Sequence, residues 1–93
     1  MPTYLISLEP RAKRDYSELS EKINALSQTH FIQPLKSLWI AYSDLDSTEI
    51  RDQLLTYIYA KDSLLVIKID AEDWASWNIN DKSAHWLNSL LKL

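Results

Sequence analysis

Acidic residues stand at the ends of three apolar runs in this sequence. The runs end at Glu9, Asp44 and Asp70, and Asp46 follows shortly after the second run. Carboxylates bind hard cations such as Mg²⁺ when folding brings several of them together, so these acids are candidates for a metal cluster. Helix capping is the alternative explanation for Asp46, and turns at strand ends explain Asp44 and Asp70. These explanations leave Glu9, which a basic segment follows directly.

The basic segment after Glu9 contains Arg11, Lys13 and Arg14. Three positive charges beside the start of a predicted helix, whose N-terminus favours anions, are suited to the phosphates of RNA or DNA. The alternative is a solvated loop whose charges partly neutralise Glu9 and the acids that follow it. No aromatic residue lies within the loop, so base stacking would have to come from elsewhere.

Two further polar residues have a functional and a structural interpretation. Ser7, just before Glu9, either binds a phosphate or occupies the less buried face of a strand. His30 is a general base if the fold brings it to Glu9, because histidine titrates near neutral pH. Its alternative interpretation is a surface residue at the start of a strand.

Four tryptophans are interpreted as core or interface anchors rather than as base-stacking platforms, since tryptophan is enriched at protein contacts. The sequence around the later ones is acidic, which disfavours nucleic acid there. Burial in a dimer interface is the use expected for Trp39 or for the tail residues Trp74, Trp77 and Trp86.

Composition excludes several classes of site. The chain has 93 residues and no cysteine, which removes disulfides, thiolate nucleophiles and cysteine-ligated metals. It also has no glycine, so phosphate-binding loops of the P-loop and Rossmann kinds are excluded. The formal net charge of -3 argues weakly against avid nucleic-acid binding, although a local basic patch is compatible with it.

Residue patterns predict the elements that position these side chains. Alternation places Tyr4, Ile6 and Leu8 on one face of the first strand. The run 64–69 is nearly continuously apolar and β-branched, which favours an interior strand. Predicted strands cover 4–8, 29–35, 37–43 and 64–69, predicted helices cover about 16–27 and 48–59, and a final helix follows Asp81.

Helix starts are predicted from capping residues. Asp15 with Glu18 three residues later resembles a capping box, and Asp46 or Ser47 is expected to cap the second helix. Asp81 is expected to cap the final helix.

The order β-α-β-β-α-β predicts an α+β fold of the ferredoxin-like kind, with an antiparallel sheet and a C-terminal helical extension. We expect one domain over 1–93, with its core at about 3–73 and the extension at 74–93. The two central helices should cover one face of the sheet and leave the other face to a partner. The N-terminus lacks the pattern of a secretory signal and no run is long enough to span a bilayer, so a soluble, cytoplasmic protein without a membrane partner is expected.

Four segments of the chain resemble the small CRISPR-associated endoribonuclease-like proteins and the related virulence-associated protein D toxins. These are 4–9, 37–40, the helix start 46–52 and 62–67, and the resemblance extends over about residues 3–73. It implies a ferredoxin-like homodimer in which an aspartate at the end of the first strand of each protomer lies at a divalent metal. The matching residue here is Glu9, which is one methylene longer and would shift a bound Mg²⁺ from that geometry.

The resemblance therefore implies a homodimeric protein that handles nucleic acid, with weak or lost metal-dependent nuclease activity. Glu9 would position Mg²⁺ that activates water, while Arg11, Lys13 and Arg14 would hold phosphate. Some relatives of this fold serve as structural or nucleic-acid-bridging subunits without cleavage. The alternatives are a non-enzymatic protein–protein interaction or regulatory module, and a regulator that binds a small molecule.

Overall fold

The computed structural model describes residues 2–11, 15–27, 30–70 and 73–91, which form an α+β fold. Within these residues, four strands make one antiparallel sheet and three α-helices pack on it. The elements are β1 (Thr3–Glu9), α1 (Ser17–Leu26), β2 (Phe31–Leu35), β3 (Leu38–Tyr42), α2 (Ser47–Leu54) with a 3₁₀ turn at Leu55–Tyr57, β4 (Ser63–Ile69) and α3 (Asp81–Leu91).

The sheet has the strand order β2-β3-β1-β4, and every neighbouring pair is antiparallel. This arrangement is compatible with a ferredoxin-like fold, and it confirms the predicted hairpin of β2 and β3. The prediction that 64–69 is an interior strand is wrong, because β4 forms an edge of the sheet. The apolar residues of β4 are not buried on both faces of the sheet, since Leu65 is 57% exposed and Ile67 is 48% exposed.

The main core lies between the sheet and helices α1 and α2. Alternation in β1 turns Tyr4, Ile6 and Leu8 toward these helices, as predicted. Trp39 of β3 joins them and is only 2% exposed, so the expectation that Trp39 anchors a dimer interface is wrong. The buried residues of this core are Tyr4, Ile6, Leu8, Leu19, Ile23, Trp39, Ala41, Ile50 and Leu54.

The opposite face of the sheet is covered in part by α3 and the segment before it. Leu87 of α3 is buried against Ile32 and Ile40, and Trp74 and Trp86 pack at the border of this second cluster. The prediction that this face is open to a partner therefore holds only near β4, because the chain itself covers the part over β2 and β3.

Capping side chains set the start of two helices. Asp46 caps α2: its carboxylate accepts from the backbone N–H of Glu49 at 2.8 Å, and the Glu49 side chain accepts from the backbone N–H of Asp46. This capping box confirms Asp46 as the predicted cap. At α3, the cap is Asn80, whose side chain accepts from the Ser83 N–H, so the prediction of Asp81 is wrong by one residue.

The start of α1 differs from the predicted capping box. Tyr16 occupies the N-cap position, and its side chain makes no capping hydrogen bond. The Asp15 carboxylate instead accepts from both the backbone N–H and the hydroxyl of Ser17. None of the helices in the described part of the chain combines the length and apolar character needed to cross a bilayer.

Candidate functional site

Sheet topology separates the three acids at the ends of the apolar runs. Because β3 and β4 run antiparallel to β1, Tyr42 and Ile69 pair with Thr3, whereas Glu9 pairs with Ser63 at the other end of the sheet. The six residue-to-residue steps from Thr3 to Glu9 correspond to about 20 Å of strand. Asp44 and Asp70 follow the Thr3 end and therefore lie far from Glu9. Among the described residues, no three acids or histidines come together in a way that would hold a metal ion.

His30 also lies at the end of the sheet opposite Glu9. Its backbone carbonyl accepts a hydrogen bond from the Tyr42 N–H at 2.9 Å, and the two rings are 6.1 Å apart. Tyr42 pairs with Thr3, so His30 lies at the end of the sheet where β1 begins. The hypothesis that His30 serves Glu9 as a general base is therefore wrong, because the parallel course of β1 and β2 keeps the two apart.

Glu9 forms an ion pair with Arg11 across the end of β1. The Arg11 Nη2 atom lies 3.0 Å from Glu9 Oε2, with 51% and 67% of the respective side chains exposed. An exposed pair of this kind contributes little to stability. The pair brings the positive charge of Arg11 to the Glu9 carboxylate, which was the candidate metal ligand. This agrees with the alternative prediction that the charges of the loop partly neutralise Glu9. Lys13 and Arg14 lie outside the described residues.

Asp62 is the most heavily hydrogen-bonded acid at this end of the sheet, and the sequence did not single it out. Its Oδ1 atom accepts from the Arg11 backbone N–H at 2.8 Å, and its Oδ2 atom accepts from the Tyr59 N–H at 2.9 Å. The Tyr16 hydroxyl lies 2.9 Å from Oδ2 and 3.0 Å from Oδ1. Asp62 therefore joins the loop after β1, the start of α1 and the turn before β4.

The charge state of Asp62 follows from these contacts. Burial raises the pKa of the carboxyl group, but the backbone N–H groups of Arg11 and Tyr59 act in the opposite direction. The Tyr16 hydroxyl and the Arg11 charge add to them, and the net result is a pKa below the ordinary value of 3.8. The position of Asp62 directly before a strand predicts a turn residue, but its partners Arg11 and Tyr16 are distant in the sequence.

A groove lies beside this site, between the start of α1 and the turn of the β2–β3 hairpin. Its volume is about 820 Å³. Pro10 and Asp15, which border the basic segment in the sequence, both line it, and Lys36 adds a positive charge from the hairpin. Trp39 lies at its inner wall, where the indole N–H donates to the Ser20 hydroxyl at 3.2 Å.

A second surface feature is the uncovered part of the sheet at β4. Leu65 and Ile67 point away from α1 and α2, and Ile67 pairs with Leu5 of β1. A cleft of about 470 Å³ adjoins this face, between Leu5 and the tail residues Trp74 and Trp77. Trp77 is 92% exposed. Apolar side chains thus remain in contact with solvent at one edge of the sheet.

Comparisons of the chain with protein-family models, with curated proteins and with solved structures found no match. The resemblance to CRISPR-associated and toxin proteins therefore stays a prediction.

Proposed function

We propose that this chain is a ferredoxin-like domain with a C-terminal helical extension that acts as a non-enzymatic, self-associating interaction module. The observation that carries the proposal is the exposure of Leu65 and Ile67 on an edge strand, at 57% and 48%. Adjacent exposed apolar side chains are typical of surfaces that bind another chain. Burying them in a contact would remove apolar area from water, which stabilises the contact by about 25 cal/mol per Å².

A catalytic role has less support from the geometry. Glu9 is engaged by the Arg11 guanidinium, and Asp44 and Asp70 lie at the opposite end of the sheet. Asp62 lies close to Arg11, but its oxygens accept hydrogen bonds from the fold itself. The Asp62 carboxylate therefore serves the architecture, and the Glu9 carboxylate is occupied by an exposed ion pair.

The test is to measure mass in solution and nucleic-acid affinity on the same preparation. Light scattering should show a dimer at micromolar concentration. Fluorescence anisotropy with labelled RNA and DNA should show no binding at low salt, where electrostatic attraction is greatest. A monomer at all concentrations, or tight and salt-sensitive binding of RNA, would overturn the proposal.

A second candidate function is the handling of RNA or DNA by a homodimer, with Mg²⁺ at Glu9. One observation favours it: Pro10 and Asp15, on either side of the basic segment, line the same groove as Lys36. Phosphates bound there would be held by Lys36 together with the basic residues Arg11, Lys13 and Arg14. A cytoplasmic site of action is part of both proposals.

This candidate is tested with labelled RNA and DNA in the presence of Mg²⁺ or Mn²⁺. Lys36→Glu should weaken binding and reduce its salt dependence, whereas Lys82→Glu, on the exposed surface of α3, should leave binding unchanged. Glu9→Ala should abolish any cleavage. Cleavage that persists undiminished in Glu9→Ala would show that Glu9 is not the metal-binding residue, and equal effects of the two lysine variants would exclude the groove as the binding site.

A further inference from the structure

The two edges of the sheet differ in how they are protected against pairing with another strand. At one edge, β2 contains Pro34, which has no N–H, and its pairing with β3 shifts register between Ile32 and Leu35. The Asn80 side chain also donates to the Gln33 carbonyl of this strand at 3.4 Å. Proline, irregular pairing and a covering segment are three ways in which proteins block an edge strand.

The other edge, β4, has none of these features in the described part of the chain. Its seven residues, Ser63–Ile69, pair with β1 without interruption, and no described strand pairs with its outer side. It contains no proline, and Lys68 is its one charged residue. A regular, mainly apolar edge of this length is a template for a further strand.

We propose that β4 pairs in antiparallel fashion with β4 of a second copy of this chain, in a register centred on Val66. The proposal rests on the self-association proposed above and names the surface and the geometry through which it occurs. Two four-stranded sheets would join into one continuous sheet of eight strands, related by a twofold axis that passes through the Val66 pair.

The sequence of β4 is complementary to itself in this register. Val66 is the middle residue of β4, so all seven residues find a partner. Leu65 lies opposite Ile67 of the second copy, and Ile67 lies opposite Leu65 of the second copy, so these two exposed apolar residues cover each other. Lys68 lies opposite Leu64, which keeps the two lysine charges of the dimer apart.

Neighbouring registers are less favourable. A pairing centred on Leu65 would place Ile67 opposite Ser63 and leave part of the strand without a partner. A pairing centred on Ile67 would place Leu64 opposite Asp70 and Val66 opposite Lys68, and it would also shorten the overlap. A register centred between two residues, with Leu65 opposite Val66, would join the sheets with their helix-covered faces on opposite sides. The alternation of side chains disfavours this arrangement.

Single cysteines can test the register directly, because the chain contains no cysteine of its own. In the proposed register the two copies of residue 66 face each other, at the separation of directly opposed residues in an antiparallel pair. Val66→Cys should therefore form an intermolecular disulfide under mild oxidation. The matched variants Leu65→Cys and Ile67→Cys report the two neighbouring registers and should oxidise to dimer more slowly.

The outcomes separate this inference from the function on which it rests. Fastest cross-linking of Val66→Cys supports the proposal. Fastest cross-linking of Leu65→Cys or Ile67→Cys overturns the register. If light scattering shows a dimer but all three variants cross-link no faster than Lys82→Cys on α3, pairing through β4 is wrong although self-association stands. If light scattering shows a monomer, the proposed function itself fails.

Discussion

The carboxylate of Asp62 accepts a hydrogen bond from the backbone N–H of Arg11 at 2.8 Å, although the two residues are 51 positions apart in the sequence. Arg11 follows the end of β1 and Asp62 precedes the start of β4, where Glu9 pairs with Ser63. The contact therefore closes the β1–β4 pair at one end. It also fixes where the basic segment leaves the sheet, which matters for either proposed function.

Removing the Asp62 carboxylate should destabilise the fold. Hydrogen bonds to a charged group contribute about 1.5 to 3 kcal/mol, and Asp62→Ala leaves the N–H groups of Arg11 and Tyr59 without this acceptor. We expect the free energy of unfolding to fall by about 2 kcal/mol in urea titrations. Asp73→Ala, at an exposed position, is the control and should lie within about 0.5 kcal/mol of the wild type. An equal effect of both variants would contradict the structural role of Asp62.

The contribution of Asp62 to the free energy of unfolding should depend on pH. Because its pKa in the folded protein lies below the ordinary value of 3.8, the folded state binds this proton less tightly than the unfolded chain. The resulting stabilisation is present above that ordinary value and is lost as the pH falls through the lower, folded-state pKa. The difference in unfolding free energy between wild type and Asp62→Asn should therefore be constant near neutral pH and shrink below about pH 4. A difference that grows on acidification would contradict the direction of the shift.

Truncation of two tryptophans should affect the free energy of unfolding to very different extents. Trp39 is 2% exposed and donates to the Ser20 hydroxyl, whereas Trp77 is 92% exposed. We expect Trp39→Ala to lower the free energy of unfolding by about 3 to 5 kcal/mol. Trp77→Ala should change it by less than about 0.5 kcal/mol. Trp39→Phe keeps a ring in the core and should give an intermediate loss, measurable if the alanine variant does not fold.

Helix caps provide a comparison between predicted and observed residues. Asp46→Ala removes the capping box of α2 and should cost about 1 kcal/mol. At α3, Asn80→Ala should cost a similar amount, because Asn80 accepts from the Ser83 N–H. Asp81→Ala should have a smaller effect, since Asp81 acts only through its charge in the first turn. Unfolding curves that rank Asp81 above Asn80 would contradict the observed cap.

Local patterns predicted the elements of this fold well. The alternation of Tyr4, Ile6 and Leu8 identified the buried face of β1, and the spacing of Asp46 and Glu49 identified the start of α2. Such features depend on residues that are neighbours in the sequence. The position of β4 did not follow in the same way, because an apolar run is compatible with an interior strand and with an edge that another chain covers.

The candidate site was less predictable, because its geometry depends on strand direction. Glu9 and His30 lie at opposite ends of the sheet only because β1 and β2 run parallel with β3 between them. The role of Asp62 depends on partners that are 46 and 51 positions away, in Tyr16 and Arg11. No spacing rule connects such residues, because they come together only through the pairing of β1 with β4.

The most direct test of self-association through β4 is the dimer dissociation constant, measured by sedimentation equilibrium for the wild type, I67K and the matched control L35K. Ile67 is 48% exposed on β4 and Leu35 is 56% exposed on the protected edge strand β2. We predict a wild-type dimer of twice the 10.9 kDa chain mass, with a dissociation constant that the unpaired charge raises about tenfold or more in I67K and that is unchanged in L35K. A monomeric wild type, or an I67K dimer as tight as the wild type, would contradict self-association through β4.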